Sequence, residues 1–383
     1  MYKFSAPMPY NLDDIQKLLD LNNNIEKSRI TSLYACVPRG CEVFTGFEQS
    51  RNFAFDNLSW DYRKRLINQT FDCRCDFIYL LNSPRPLDIE NPDFPKKLEK
   101  LELLLSELRK IGVKKLRVAS AQLMTYIAKH YPGFDVLAST SLEYKTICEY
   151  QNFIYLHKGI KQLVPSHEVN KNFKLLINLK KQYKNIEIEL MVNEGCMKGC
   201  PNRILHEYDN IDSYKIINNN TDLSNIYSTI FCNYIAQKYP IYSYVIGNNI
   251  FPWDIDEYAQ IGIINFKFAG RDGFIEYFEK YLKSFKLYLQ GIDNIKTIGE
   301  CTLAELTHHS LLNPILKRLK VKDYKKYLPK IEYFKKYGHL CNIRCGVECH
   351  YCYKCSENIQ RIYERKQKEQ IKMNTPFCII TNR

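Results

Sequence analysis

The chain has 383 residues, of which 45% are hydrophobic and 25% charged, and its formal net charge is +13. These proportions are those of a globular protein, and the positive charge fits either a bias towards lysine or a surface that attracts phosphate. No apolar run reaches the ~18 residues that span a bilayer, and the N-terminus lacks a charged segment followed by an apolar one, so we expect a cytoplasmic protein without membrane contact.

Eight β-like runs recur along the chain, and helical apolar spacing follows most of them. The runs are apolar on both faces, as in strands that helices cover. The pattern predicts a parallel (β/α)8-type barrel, an α/β fold, over residues 1–290, with an open doubly wound sheet as the alternative. Residues 291–383 are predicted to form a Lys- and Cys-rich C-terminal appendage. The predicted strands span residues 3–8, 30–37, 76–83, 115–120, 134–140, 153–157, 186–193 and 262–270.

Polar residues stand at the ends of several predicted strands. In a β/α barrel the active site lies at the C-terminal ends of the strands, so these side chains are expected to meet around one mouth. A single polar residue at such a position is usually a cap, whereas several together favour a site. The residues are Asn82, Ser120, Ser139, His157, Asn193, Glu194, Lys267 and Arg271.

Fifteen cysteines in a chain expected to be cytoplasmic indicate metal or redox chemistry, because reducing compartments do not keep structural disulfides. Cys196 and Cys200 follow the predicted seventh strand, in a loop where Gly195 and Gly199 let the backbone approach a bulky group. Buried thiols, zinc and an iron–sulfur cluster are all open. The loose spacing, with a distant third ligand, suits a cluster better than zinc, which usually takes CxxC pairs.

The segment "CNIRCGVECHYCYKC" places five cysteines within fifteen residues, which favours a bound metal. The last three have the CxxCxxC spacing that is common in bacterial [4Fe–4S] segments. Zinc is the alternative, because the spacing also permits a tetrahedral thiolate site. The five residues are Cys341, Cys345, Cys349, Cys352 and Cys355.

Several of these motifs resemble the collagenase-like peptidase family U-32. The most specific is "IELMVNEGCMKGCPNRILHE" (188–207), which is similar to the family's Asn-Glu and two-cysteine motif at a strand end. Together the matches cover most of the chain. Supporting segments are "SAPMPYNLDDIQKL" near the N-terminus, "FIYLLNSP" (77–84), "FPWDIDEYAQIGIINFKFAGRDG" (251–273) and "CGVECHYC" in the tail.

The resemblance implies a β/α barrel with a [4Fe–4S] cluster that installs hydroxyl groups without O2. Relatives act in this way on ubiquinone precursors, transfer RNA or ribosomal RNA, with prephenate as the oxygen donor. By motif position, Cys196, Cys200 and Cys232 match cluster ligands, and Cys36, Cys41 or a tail cysteine would supply the fourth. The chain lacks the cysteine that many relatives have after "NSP", and Cys232 stands where they have a pair. The expected substrate is therefore an RNA, a peptide or a small aromatic molecule.

Chemical roles follow for the residues around this loop. Glu194 and His206 can move protons, and Arg271 can clamp a carboxylate or phosphate, so these three are the predicted catalytic residues. Arg203 and His206 also fit a structural ion pair and a cap. The predicted substrate-binding residues are Asn82, Asn193, Arg203 and Lys267.

Two other functions stay open. Some U-32 relatives act only as heterodimers, so the chain can be a non-catalytic, cluster-bearing subunit that works with a second family member. A peptidase is disfavoured, because the sequence has no GxSxG or HExxH motif and no recognisable Ser-His-Asp constellation.

Overall fold

The computed structural model shows a closed barrel of parallel strands in the order β1 to β8, with β8 pairing back to β1. This confirms the predicted (β/α)8-type barrel and excludes the open sheet. The structure describes residues 1–36, 42–48, 58–85, 87–193, 198–205, 249–269, 278–290, 296–297, 319–341 and 347–374. The strands are β1 (Tyr2–Pro7), β2 (Ser28–Ala35), β3 (Asp76–Leu81), β4 (Lys115–Val118), β5 (Asp135–Ala138), β6 (Gln162–Leu163), β7 (Glu187–Met191) and β8 (Asn265–Lys267).

Helices connect the strands and pack on the outside of the barrel. Several begin at a side chain that accepts a hydrogen bond from a backbone N–H of the first turn, such as Asn11, Ser59 and Ser120. No helix in the described ranges is long and apolar enough to cross a membrane. The α-helices are α1 (Leu12–Asp20), α2 (Trp60–Asp72), α3 (Phe94–Lys110), α4 (Ala121–His130), α5 (Ile147–Leu156), α6 (Phe173–Gln182), α7 (Ile255–Gln260), α8 (Phe278–Gln290), α9 (Val321–Tyr324), α10 (Ile331–Tyr337) and α11 (Tyr351–Asn374).

The sixth strand is not where the sequence predicted it. Residues 153–157 lie in α5 and its C-terminal cap, and the strand itself is the two-residue β6. Thr146 and Glu149 form a reciprocal capping box that starts α5, and the apolar residues then bury one helical face. A five-residue apolar run cannot distinguish a helix from a strand, and two residues are too few to show alternation.

Side-chain alternation along β2 separates the inside of the barrel from the outside. Leu33 and Ala35 join the main apolar core between strands and helices, whereas Tyr34 and Cys36 belong to a separate cluster with residues of β3 and β5. Cys36 therefore points into the barrel at the C-terminal end of its strand, where it is 4% exposed.

The C-terminal segment packs on the barrel near α6. Phe334 of α10 and Cys341 join the main core, and Lys335 forms an ion pair with Glu257 of α7. Gly338 lies so close to the loop before α6 that a Cβ atom built on it would come within 2.0 Å of the Lys171 carbonyl oxygen. These contacts fix the segment on the barrel, while the predicted domain boundary at residue 290 stays a prediction.

Candidate functional site at the mouth of the barrel

The segment of residues 194–205 after β7, which carries Cys196 and Cys200, is called the cysteine loop. Just before it, a side chain links the ends of β7 and β8 by hydrogen bonds. The Asn193 side chain donates from Nδ2 to the Ala269 carbonyl at 3.2 Å and accepts at Oδ1 from the Ala269 N–H at 2.6 Å. Both ends of this amide therefore hold the two strand ends in register. Contact between Asn193 and a substrate stays a prediction.

Gly199 is the first anchor of the cysteine loop. Its φ of +66° lies in the left-handed region that favours glycine, and its N–H donates to Glu168 Oε1 at 3.2 Å. Glu168 Oε2 lies 3.1 Å from Lys145 Nζ, and this ammonium group helps to hold the pKa of Glu168 below its usual value against the effect of burial. A charged, buried carboxylate thus fixes the backbone next to Cys200.

Arg203 is the second anchor. Its Nε lies 3.1 Å from Glu143 Oε1, and Glu143 Oε2 accepts a hydrogen bond from Ser166 Oγ at 2.7 Å. Glu143 has a φ of +54°, which is strained for a residue other than glycine. Arg203 is buried and forms an ion pair with Glu143, which gives it a structural role. Its contact with a substrate stays a prediction.

The other described candidates lie at the mouth or inside the barrel. Lys267 is 7% exposed, and its ammonium group lies 4.4 Å from the ring centroid of Tyr34, in cation–π geometry. Asn82, which follows β3, is also buried. Lys267 and Cys36 therefore approach the same interior from β8 and β2, with Tyr34 beside both.

A cavity of about 400 Å³ opens next to the cysteine loop. It lies at the C-terminal ends of β3, β4 and β5, where substrates of β/α-barrel enzymes bind. Ile204 of the cysteine loop lines the cavity, and so does Glu143, which forms the ion pair with Arg203. The loop therefore forms part of the cavity lining. Its polar lining includes Ser120, Gln122, Ser141 and Tyr144.

The tail cysteines gather at the start of α11. Cys352 and Cys355 lie three positions apart on one helical face, and Cys349 Sγ lies 3.5 Å from the Tyr333 hydroxyl. Burial, with a smaller contribution from negative charge on Cys341 and Cys355, raises the pKa of Cys352 to about 11. The four thiols therefore share one partly apolar environment.

Two lysines connect this tail cluster to the mouth. Lys171, which follows β6, and Lys198, in the cysteine loop, both oppose the rise in the pKa of Cys352. Lys171 also lies 5.0 Å from the ring centroid of Phe334 in α10. The tail thiols are thus within electrostatic range of the loop that carries Cys200.

Cysteine thiols are the main candidate metal ligands among the described residues. In the part of the chain that the structure describes, no group of three or more His, Cys, Asp or Glu side chains is arranged to hold a metal ion. Cys352, which Lys171 and Lys198 influence electrostatically, nevertheless offers a soft donor near positive charge, as a thiolate-bound cluster requires. The predicted residues Cys41, Glu194, Cys196, His206, Cys232, Arg271 and Cys345 lie outside the described residues.

Sequence reasoning missed Glu143, Glu168 and Lys171. The last two follow β6, and placing the strand at 153–157 pointed to His157 instead, which caps α5. Asp254, in the short turn before α7, was missed as well. Burial raises its pKa to about 7, and the positive charge of Lys171 partly opposes this rise. The correct position of β6 is the signal that would have directed attention to Glu168 and Lys171.

The molecule is a parallel β/α barrel with a cysteine-bearing loop at its mouth. No protein-family model matches the chain, and no curated protein is detectably similar to it. Among solved structures, the U32 peptidase Mk0906 is similar at 13% identity and a TM-score of 0.42, over 56% of this chain and 77% of that one. A U32 peptidase is thus among the structures that the chain resembles, as its motifs predicted.

Two further solved structures are similar to the chain at lower identity and TM-score. The maltogenic α-amylase AmyB from Thermotoga neapolitana has 8% identity and a TM-score of 0.31, over 49% of this chain and 57% of that one. CpGH84B has 9% identity and a TM-score of 0.35, over 95% of this chain and 70% of that one. At these values no residue role is carried from any of these proteins to this chain.

Proposed function

We propose that this chain is an iron–sulfur enzyme that hydroxylates an RNA, a peptide or a small aromatic substrate without O2. The observation that carries the proposal is the position of the cysteine loop. It leaves the C-terminal end of the barrel, is anchored at Gly199 and Arg203, and faces a cavity of about 400 Å³. The activity itself rests on the resemblance of the loop motif to family U-32.

Cys196, Cys200 and Cys232 would hold a [4Fe–4S] cluster at this mouth. Cys36 is the preferred fourth ligand, because its side chain points into the barrel at the end of β2, and Cys41 follows it in the chain. When bound, such a cluster supplies iron that can carry electrons and polarise an oxygen atom.

The chain's own side chains would bind and protonate the reactants. Lys267 and Arg271 offer positive charge to the carboxylates of an oxygen donor such as prephenate, which the family resemblance suggests. Glu194 and His206 are the proposed proton carriers.

The tail would hold a second metal centre. Cys352 lies within electrostatic range of Cys341 and Cys355, and Cys345 and Cys349 belong to the same run of sequence. Five cysteines within fifteen residues support a bound metal, whose positive charge would hold them as thiolates against the raised pKa of Cys352. We propose an iron–sulfur cluster here, with zinc as the alternative.

A specific surface feature favours a second candidate function, that of a subunit in a heterodimer. Ile204 and Leu205 in the cysteine loop are each 61% exposed, which is unusual for large apolar side chains next to a site. A second family member could cover them, and the chain would then bear a cluster without turning over substrate alone.

Anaerobic purification followed by iron, sulfide and zinc analysis tests the proposal. The double substitution Cys196→Ala, Cys200→Ala should remove the iron of the mouth, whereas Cys148→Ala, at an exposed isolated cysteine of α5, should leave it unchanged. Iron content that is equal in both variants contradicts the assignment. Turnover by the isolated chain then separates an enzyme from a partner subunit.

A further inference from the structure

A second, larger cavity opens at the opposite end of the barrel. Its volume is about 740 Å³, and it is lined by residues at the N-terminal ends of the strands, including Lys3, Arg29, Asp76 and Asp135. The cysteine loop and its cavity lie at the C-terminal ends. This basal cavity therefore belongs to a different surface from the site already described.

The residues that line the basal cavity carry more positive than negative charge. Five cationic and four acidic side chains line it. Lys3 Nζ lies 3.8 Å from Glu187 and Lys115 Nζ lies 2.6 Å from Asp76, so these charges offset each other. The charge of Glu189 is offset by Arg117, a buried residue that does not itself line the cavity.

Three cations remain at the rim of the basal cavity. Arg29, Arg74 and Lys161 make no ion pair with any residue in the described ranges, and Asp135 is the acidic side chain left to oppose them. All three cations are exposed to solvent. A concave surface with such an excess attracts anions, and arginine binds phosphate and carboxylate in bidentate fashion.

A buried arginine contacts two residues that line the basal cavity. Arg117 is 0% exposed, and its Nη2 atom lies 2.7 Å from Gln162 Oε1 and 2.7 Å from Glu189 Oε2. Its Nε and Nη1 groups have no partner among the described residues. Gln162 and Glu189 line the cavity and both contact Arg117, so this buried pair carries no net charge and the positive excess of the cavity comes from the cations at its rim.

Arg74 occupies a position where glycine is the usual residue. It follows the end of α2 with a φ of +57°, in the left-handed region, and its N–H donates to the Phe71 carbonyl at 2.8 Å. Glycine adopts this conformation without strain, whereas arginine does not. A strained arginine whose side chain lines a cavity is evidence that the side chain itself has a use.

We propose that the basal cavity binds a small anionic ligand that carries at least two phosphate or carboxylate groups. Arg29, Arg74 and Lys161 would hold the anionic groups at the rim. The cavity volume of about 740 Å³ falls in the range of small-molecule and cofactor sites. This inference does not rest on the proposed iron–sulfur function, since the residues are separate.

Titration calorimetry with two probes tests this site and its ligand chemistry. Inorganic pyrophosphate represents the phosphate source and citrate the carboxylate source, each titrated at low ionic strength into the full-length protein. We expect one of them to bind, and the double substitution Arg29→Ala, Lys161→Ala to weaken binding by about tenfold or more. Lys129→Ala, which removes an exposed cation of α4 outside the cavity, should change the affinity by less than about twofold.

Arg74→Gly gives a second test with two opposite readouts. Relief of the left-handed strain should raise the melting temperature, while loss of the rim cation should weaken binding of the same probe. Binding of neither probe overturns the proposal, and so does equal binding by the wild-type protein and the rim variants. If the double variant does not fold, the Arg74→Gly result decides alone.

Discussion

Glu143 holds two parts of the barrel mouth together through its two carboxylate oxygens. One oxygen pairs with Arg203 of the cysteine loop and the other accepts from Ser166 after β6. Both charged groups are largely withdrawn from water, so removing one partner leaves the other buried and unpaired. The strained φ of Glu143 is maintained by these contacts.

Substitution of this carboxylate should therefore destabilise the protein. Glu143→Gln is expected to lower the free energy of unfolding by about 3 kcal/mol, because the buried Arg203 loses its counter-charge. Urea denaturation measures the change. The matched control is Glu107→Gln, which breaks the exposed pair with Lys110 and should cost less than about 0.5 kcal/mol. Equal losses in the two variants would contradict the buried role of Glu143.

Glu48 gives a pH dependence of stability. This buried side chain accepts hydrogen bonds from Thr45 and Tyr79, yet burial raises its pKa from 4.5 to about 7. Because the folded protein binds the proton more tightly than the unfolded chain, the stabilisation is complete below about pH 4.5 and is lost as the pH rises through about 7.

Glu48→Gln should remove this dependence. We expect the variant to gain about 2 kcal/mol relative to the wild-type protein between about pH 5 and pH 8, because glutamine carries no charge to desolvate. Denaturation curves at several pH values measure it, with Glu102→Gln on the exposed face of α3 as control. A variant whose stability follows the wild-type pH profile would show that Glu48 is not the titrating group.

At the scale of elements, the docking of the C-terminal segment depends on one close approach. Gly338 ends α10 against the backbone of Lys171, with ordinary helical dihedral angles, so the requirement for glycine is one of space. Rigid backbone on both sides leaves no side chain that could rotate away.

Gly338→Ala should loosen the C-terminal segment. A new Cβ atom 2.0 Å from a carbonyl oxygen forces the segment and the barrel apart, with an expected loss of about 2–3 kcal/mol. Limited proteolysis should then cleave near residues 338–350 sooner than in the wild-type protein. Gly159→Ala, where no atom lies within 4 Å, is the control. Unchanged stability and cleavage in the Gly338 variant would refute this account of the contact.

Elements with a clear hydrophobic periodicity were predicted correctly from the sequence, whereas an element too short to show any periodicity was not. Seven strands lie where alternation or a buried apolar run placed them, but the two-residue β6 left no pattern and the neighbouring α5 was mistaken for it. The polar interior was missed for another reason. Arg117 and Glu189 sit within apolar runs, and only the closed barrel shows that their charges face each other.

The position of Cys200 after β7 was predictable from the sequence, whereas the residues that anchor its loop were not. Cys200 follows β7 as the sequence indicated, and the mouth of a parallel barrel then follows from the fold. Glu143 follows β5 and Glu168 follows β6, and both are distant from the loop in sequence although they contact it in the folded chain. Spacing along the chain carries no information about such partners.

At the scale of the whole molecule, the barrel presents two chemically distinct ends. The C-terminal mouth combines thiols, the anchored loop and the cavity of about 400 Å³, and the packed tail lies beside it. The base presents a cavity of about 740 Å³, at whose rim Arg29, Arg74 and Lys161 form no ion pair within the described part of the chain. The fold thus keeps the proposed redox chemistry apart from the proposed anion site, so each can be tested without disturbing the other.

The tail centre is tested by removing two of its thiols. Cys352→Ser, Cys355→Ser should lower the iron content by about half if each protein molecule holds two clusters of equal size. Loss of zinc with iron unchanged would indicate a zinc site instead. The control is Cys73→Ser, at a partly buried cysteine after α2. No change in either metal would remove the tail centre from the account.

The most direct test of the central claim is the Mössbauer spectrum of the protein isolated without oxygen from cells grown on iron-57. We predict the spectrum of a [4Fe–4S] cluster, reduced in intensity by the double substitution Cys196→Ala, Cys200→Ala and kept by Cys148→Ala. A protein that contains no iron and sulfide when isolated in this way, or whose spectrum is the same after the loop cysteines are removed, would contradict the claim that the barrel mouth holds a cluster.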